Sequence, residues 1–396
     1  MLAAGALAQA RVWVVDAANG AGTDFTDIAP AVAAATDGDL IRIRAGVYTP
    51  FGVSKALRFV GGPNVTVRTT NASQPAISIG GLGAGKSLSM RGLLALRQGP
   101  AAPQTLRVFG NLGVVFLEDV TATNATGPGL AFLASNNAVI VHGFGMRAGV
   151  RPDMLLVFRC SFVSIQRSNL VGSAALAPND FASAALDATD SSVEVVDSLL
   201  RGGDGDSVTT NPPPLFGPSP AILAANCTLR ILGTAAHPLR AGSGPLALFP
   251  APVPAVRGGL VEVDPAIPYV THAGAPPVAA TQKVTIWPLA ALAAAAAPLG
   301  GTFSLTLRSP PQDPFAVALS EPRPALTALG ISFLDPATLV PIAAGTQGAG
   351  GITLLRLQVP LDPVLRGLVV AAQAGNAYLA TNRVGLTNVT LTTIDG

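Results

Sequence analysis

The sequence predicts an all-β protein: a stack of repeated parallel β coils closed at its N-terminal end by one short helix, then a small antiparallel β-sandwich. Three observations predict it. Eight short apolar segments, Leu57–Val60, Leu88–Arg91, Val114–Leu117, Val139–His142, Val163–Gln166, Val193–Val196, Leu229–Leu232 and Val261–Asp264, begin 24 to 36 residues apart. A period in that range marks a chain built from one repeated supersecondary unit. The 43 glycines and 34 prolines among 396 residues require many turns and leave little room for long helices. Past about residue 270 the repeat stops, and short strand-like segments separated by Pro/Gly turns continue to the end, as in an antiparallel sandwich.

The elements follow in order. Met1–Ala10 is alanine-rich and closes on Ala8-Gln9-Ala10, a small-x-small pattern expected at the end of a secretory signal, which would start the mature chain at Arg11. Val12–Val15 reads as a strand and Asn19–Asp24 as a turn. Phe25–Ala35 reads as a helix, because Phe25, Ile28 and Val32 share one face. Asp24 is a candidate N-cap, although Pro30 sits better if the helix begins nearer Asp27. Asp37-Gly-Asp39 ends the helix, and Leu40–Arg44 alternates Ile41 and Ile43 inward with arginines outward.

Within the repeat, Ser192–Arg201 alternates Val193 and Val195 with Glu194, as a half-buried strand does. Ala76–Ile79, Leu106–Phe109, Leu130–Leu133 and Leu155–Phe158 supply a second strand per coil. Such strands cannot stand alone; stacking completes their hydrogen bonds and buries a continuous core. Beyond Val163 the intervals lengthen, which places loops at 174–183, 202–220 and 235–256 and an expected binding face between residues 170 and 256.

At this point the residues carry a resemblance. Asp24-Phe-Thr-Asp-Ile, Ala31-Val-Ala-Ala-Ala35, Asp37-Gly-Asp-Leu-Ile-Arg-Ile, Ala45-Gly-Val-Tyr and Leu57-Arg-Phe-Val-Gly-Gly62 resemble the N-terminal capping signature of right-handed parallel β-helix proteins, the superfamily named for pectate and pectin lyases. The resemblance implies a right-handed β-helix over 11–270, with 1–10 as the signal remnant and 271–396 as the sandwich. The superfamily holds enzymes and non-enzymatic surface proteins alike. In the C-terminal part, Ala273–Ala280 reads as a linker. Strands are expected at 283–286, 302–307, 316–319, 330–333, 352–359, 367–373, 377–381 and 386–393. The stretch Leu357-Gln-Val-Pro-Leu-Asp-Pro363 with Leu365-Arg-Gly-Leu368 resembles C-terminal modules of secreted planctomycete-like bacterial proteins.

Charge excludes some functions. Only 12% of residues are charged and the net charge is +2, so the clustered basic face that nucleic acid requires is missing. The apolar run 289–299 contains Pro298 and is too short to span a bilayer. Cys160 and Cys227 lie two repeats apart, a gap of roughly 10 Å at ~4.8 Å per coil, beyond the ~7 Å Cα reach of a disulfide; two buried free thiols are expected.

Polysaccharide lyases of the resembling superfamily use acidic Ca2+ ligands with an arginine or lysine base. The densest acidic region here is Asp187, Asp190, Glu194, Asp197, Asp204 and Asp206, with Arg201 nearby. Asp204, Asp206 and Arg201 are therefore the catalytic candidates, with Asp204 and Asp206 the candidate Ca2+ ligands. Asp187, Asp190 and Asp197 join Arg147, Arg159 and Arg167 as ligand-binding candidates, the arginines as a ladder for an anionic glycan. Against this stands the reading as turn residues, since Asp–Gly pairs suit tight turns. His142 is expected to be a strand-end surface histidine. The leading expectation is a secreted or cell-surface structural or adhesive protein that binds glycan. The alternatives are a polysaccharide lyase or glycoside hydrolase, and a filament subunit assembling through the C-terminal domain.

Overall fold

A computed structural model gives the fold for residues 10–395, excepting 72, 99–103, 125–129, 147–153, 173, 175–181, 206–216, 234–235, 245–250, 281–283, 287–289, 296, 321, 328–329, 335–336, 363–364, 366–367 and 382. Among the described residues the chain is all-β with one α-helix, Ile28–Ala34, and from Val12 to Ile286 it coils into a parallel β-helix of three faces.

Each coil runs through face I, then face II, then face III. Face I begins with Val12–Val15 and continues through Leu40–Ile43, Arg58–Gly61, Ser87–Arg91, Val114–Glu118, Ala138–His142, Phe162–Gln166 and Ser192–Val196. Its last strands are the second halves of Ile222–Leu232 and Val256–Val263, and Val284–Ile286. The eight recurring segments are all face I strands. Face II is a separate sheet, nine-stranded among the described residues, from Gly46–Tyr48 to Tyr269–Val270, one strand per coil. Face III holds the second strand foreseen per coil, from Phe51–Val53 to Val278–Ala279. Nine coils at ~4.8 Å make a shaft of roughly 40 Å.

Parallel register stacks like on like. Leu88, Val115, Val139, Val163, Val193, Leu229 and Val261 form one inward row of face I. Phe59, Met90, Leu117, Val141, Ile165, Val195, Ile231 and Val263 form the next. Face III adds Phe51, Ile77, Leu106, Ala131, Leu155, Leu186, Ile222 and Val256, and all these side chains are buried in one core. A single continuous core of this kind is what makes short strands stable.

The helix closes the N-terminal end. Its N-cap is Asp27, whose side chain accepts from the Ile28 amide at 2.7 Å. Asp24 instead accepts from the Val14 amide at 2.8 Å. Lys55 donates to the carbonyls of Val32, Ala33 and Ala35 at 2.9, 2.9 and 2.6 Å, which satisfies the orphan acceptors of the helix C-terminus.

The C-terminal residues form antiparallel sheets. One is Ala291–Ala294, Thr302–Arg308 and Ile352–Gln358; the larger is built on Pro314–Ser320, Val340–Thr346, Val369–Tyr378 and Thr390–Asp395. Two readings are corrected here. The supposed linker carries Val278–Ala279, and Val284–Ile286 pairs in parallel with Val261–Val263 instead of opening the sandwich. Strands that the sequence reading did not foresee include Ala291–Ala294, Pro322–Thr327 and Val340–Thr346, the first because alanine has little strand preference.

Candidate functional site

The acidic stretch singled out in the sequence does not converge, because successive aspartates fall on different corners of the coil. Asp190 lies between faces III and I, in a row with Gly110, Ser135, Arg159 and Asn226, all at positive φ. Asp197 lies between faces I and II, in a row with Gly92, Asp119, Gly143 and Arg167, again at positive φ. Short polar residues tolerate the left-handed region better than most, and this accounts for aspartate at both corners. Asp190 accepts from Asn226 Nδ2 at 3.2 Å and lies 3.8 Å from Arg159 Nε. Asp204 follows face II, pairs with Arg201 and accepts from the Ser243 amide and hydroxyl at 2.7 and 2.8 Å. Burial would raise its pKa, but the Ser243 donors and Arg201 outweigh that and hold it below the usual carboxylate value.

Asp187 points outward on face III, its pKa raised by burial. Asp206 and Arg147 lie outside the described residues, as do most of the loops 174–183 and 202–220 and part of the loop 235–256. Among the described residues no three His, Cys, Asp or Glu side chains gather as a metal site. Asp187, Asp190, Asp197 and Asp204 thus each meet their own partners or face, and the arrangement favours the turn-residue reading.

The cysteines belong to an interior row. After five successive face III–face I corners one side chain turns inward: Asn111, Asn136, Cys160, Ser191 and Cys227. Asn111 Nδ2 donates to Asn136 Oδ1 at 2.8 Å and Asn136 Nδ2 to the Val108 carbonyl at 3.0 Å. The Ser191 hydroxyl accepts from the Cys160 amide at 3.0 Å. Both thiols are free and buried, with burial pushing their pKa values up.

A dense polar constellation lies on the outer side of face I beneath the C-terminal sheets. Val114, Phe116, Ala138, Ile140 and Phe162 project outward there and are buried against Val369, Ala371, Val389 and Leu391. Around this apolar patch runs a polar seam. Thr393 Oγ1 donates to Glu118 Oε2 at 2.7 Å, Gln166 Nε2 donates to the Val389 carbonyl, and Arg167 Nη1 donates to the Ala294 carbonyl at 3.1 Å. Arg308 Nη2 meets both oxygens of Asp197 at 3.0 and 2.8 Å. Arg167 and Asp197, read as ligand groups, are therefore clamps between shaft and sandwich.

His142 corrects another expectation. Its side chain is only 19% exposed, 3.9 Å from Glu118 across the ladder. Burial and then Arg167 depress its pKa. Glu194 is also sealed in the seam, held by Ser164 Oγ at 3.0 Å and Arg230 Nη1 at 3.4 Å. Burial raises its pKa despite Arg230.

Face III is different. Its outward rows read Ser78, Arg107, Phe132, Leu156, Asp187, Leu223, Arg257 and Gly80, Phe109, Ala134, Phe158, Thr189, Ala225. Phe109, Phe132, Leu156 and Phe158 are half-buried, neighbours on adjacent coils. The Arg107 guanidinium lies 4.1 Å from the Phe109 ring centre and that of Arg159 4.8 Å from Phe158. The Phe109 ring covers Gly80, where a Cβ would meet it at 2.6 Å. Arg107 Nε has no hydrogen-bond partner. None of these phenylalanines is among the candidates named from the sequence. The signal was present in Arg107-Val-Phe109 and Phe158-Arg159, once face III is known to place them outward.

No family model matches the chain and no curated protein matches it. Among solved structures, full-length tailspike protein 2 of Escherichia coli O157:H7 bacteriophage CAB120 is similar over 96% of this chain, at 9% identity and a TM-score of 0.25. The chain covers 63% of that tailspike, and a likeness this slight carries no weight for function.

Proposed function

We propose that the chain is a secreted or cell-surface structural and adhesive protein, without catalysis, whose shaft holds an acidic glycan along face III. The observation that supports this reading is the strip of Phe109, Phe132, Leu156 and Phe158 flanked by Arg107 and Arg159. Aromatic faces present apolar area to sugar rings. Guanidinium groups give bidentate contacts to carboxylate or sulfate, and the cation–π contacts hold both arginines in place. The repeat of the coils offers a linear polymer successive equivalent positions. Face I is closed by the chain's own C-terminal sheets where Val114, Phe116, Ala138, Ile140 and Phe162 pack, and Asp190, Asp197 and Asp204 are engaged with neighbours. The test is affinity electrophoresis through acidic polysaccharides beside neutral ones. Arg107→Ala and Phe132→Ser should each weaken retention about five- to ten-fold while the thermal midpoint holds. Equal retention of the variants, or release of reducing or unsaturated sugar by the wild type, would overturn the reading.

A further inference from the structure

We infer that the chain pairs with a second copy of itself, two strands Ile352–Gln358 joining antiparallel across a two-fold axis. This surface is separate from face III and stands whether or not a glycan binds there.

The smaller sandwich sheet runs in the order Ala291–Ala294, Thr302–Arg308, Ile352–Gln358. Its first strand lies at the shaft, where Ala291 packs with Val196 and Leu232. Its last strand, among the described residues, pairs only with Thr302–Arg308. One row of its backbone N–H and C=O groups is thus left without ladder partners, two strands removed from the shaft. Native proteins blunt such edges with prolines, charges, bulges or very short strands. The exposed edge strand of the neighbouring sheet, Val340–Thr346, shows two of these devices: Pro341 and a register shift opposite Val317 and Ala318. Ile352–Gln358 shows neither. It keeps regular register over seven residue pairs, contains no proline and no acid, and exposes Ile352 and Leu354 at 61% and 51%.

The sequence of the strand selects its occupant. Antiparallel pairing centred on Leu355 sets Leu355 against its own copy, Thr353 against Leu357, Ile352 against Gln358 and Leu354 against Arg356. The one charge on the strand never faces its like. The methylene stem of Arg356 lies over the exposed Leu354 of the second copy, as arginine stems commonly cover apolar surface. The resulting six-stranded sheet keeps the two shafts at its outer ends. At ~4.8 Å per strand the Ala291–Ala294 strands lie about 24 Å apart, so the shafts do not collide. One strand pair buries less than the roughly 1,200 Å2 of a stable complex, and the dimer therefore dissociates in the micromolar range or above.

Sedimentation velocity on the full chain from about 1 to about 200 μM tests this. The wild type should shift from monomer to dimer. Leu354→Lys places two like-charge pairs across the axis and should weaken the dimer about five-fold; Leu354→Glu places two opposite-charge pairs there and should tighten it by a similar factor. Leu354 is exposed, and circular dichroism confirms that each variant folds. A chain that stays monomeric at the highest concentration overturns the inference, as do two variants that move the dissociation constant in the same direction. Assembly beyond the dimer overturns it too, because a two-fold strand pair closes on itself.

Discussion

Replacing Arg308 by alanine strips the strongest clamp between sandwich and shaft, and its cost can be worked from the geometry. Arg308 Nη2 reaches both oxygens of Asp197 at 3.0 and 2.8 Å, while Nη1 donates to the Gly233 carbonyl at 3.3 Å. The two side chains are only 25% and 13% exposed, so solvent screening reduces the pair less than at an open surface. A charge-assisted hydrogen bond contributes about 1.5–3 kcal/mol. Removing one partner also leaves the other charge half-desolvated, and Arg308→Ala should cost about 3 kcal/mol. Asp197 sits at φ 45°, where alanine would add backbone strain. Asparagine tolerates that conformation, so Asp197→Asn is the cleaner probe and should cost about 2 kcal/mol. The double variant should cost little more than Arg308→Ala, leaving a coupling of about 1.5–2 kcal/mol. The assay is urea unfolding of the four proteins, followed by circular dichroism and checked for a single transition. A coupling below about 0.5 kcal/mol would refute the clamp and with it the docking of sandwich on shaft.

Other expectations follow from the interior and the seam. Asn136→Leu leaves the Val108 carbonyl and Asn111 Nδ2 short of a partner and should destabilise by about 3 kcal/mol or more in the same unfolding assay. His142 and Glu194 should shape stability against pH in opposite senses. The depressed pKa of His142 means that its contribution is present above the unfolded value of 6.5 and is lost as pH falls below it. The raised pKa of Glu194 means that its contribution is present below the unfolded value of 4.5 and is lost as pH rises through the folded value. Glu194→Gln should therefore remove a loss of stability on going from acid toward neutral pH, and His142→Gln a loss on acidification; unchanged profiles would contradict the burial of both groups. Cys160 and Cys227 should resist an aromatic disulfide reagent in the native protein and react fully in denaturant, since both thiols are buried.

How much was legible in the sequence depends on which physical signal each strand carries. Face I was readable because its inward positions are long and apolar in every coil. Face II was not. Its strands shrink to Gly145–Met146, Leu239–Arg240 and Tyr269–Val270, too short for alternation to show. The docking of the sandwich left a trace that went unused. Val114-Val-Phe-Leu117 and Ala138-Val-Ile-Val141 are continuous apolar runs, the mark of a strand buried on both sides. Ser192-Val-Glu-Val195 alternates, yet Glu194 is buried too, because Arg230 and Ser164 satisfy it. The aspartates misled for a related reason: closeness in sequence across a corner becomes separation around the coil, and positive φ explains the residue type without any ligand.

One measurement tests the central claim, that face I is closed by the chain's own sandwich while face III receives the polymer. Hydroxyl-radical footprinting of phenylalanines, with and without the acidic polysaccharide that binds, reads both faces at once. The account predicts that Phe116 and Phe162, 2% and 8% exposed, stay unmodified in both states, whereas Phe132 and Phe158 are modified in the free chain and protected by the polymer. Modification of Phe116 at the rate of Phe132, or protection that spares Phe132 and Phe158, would contradict it.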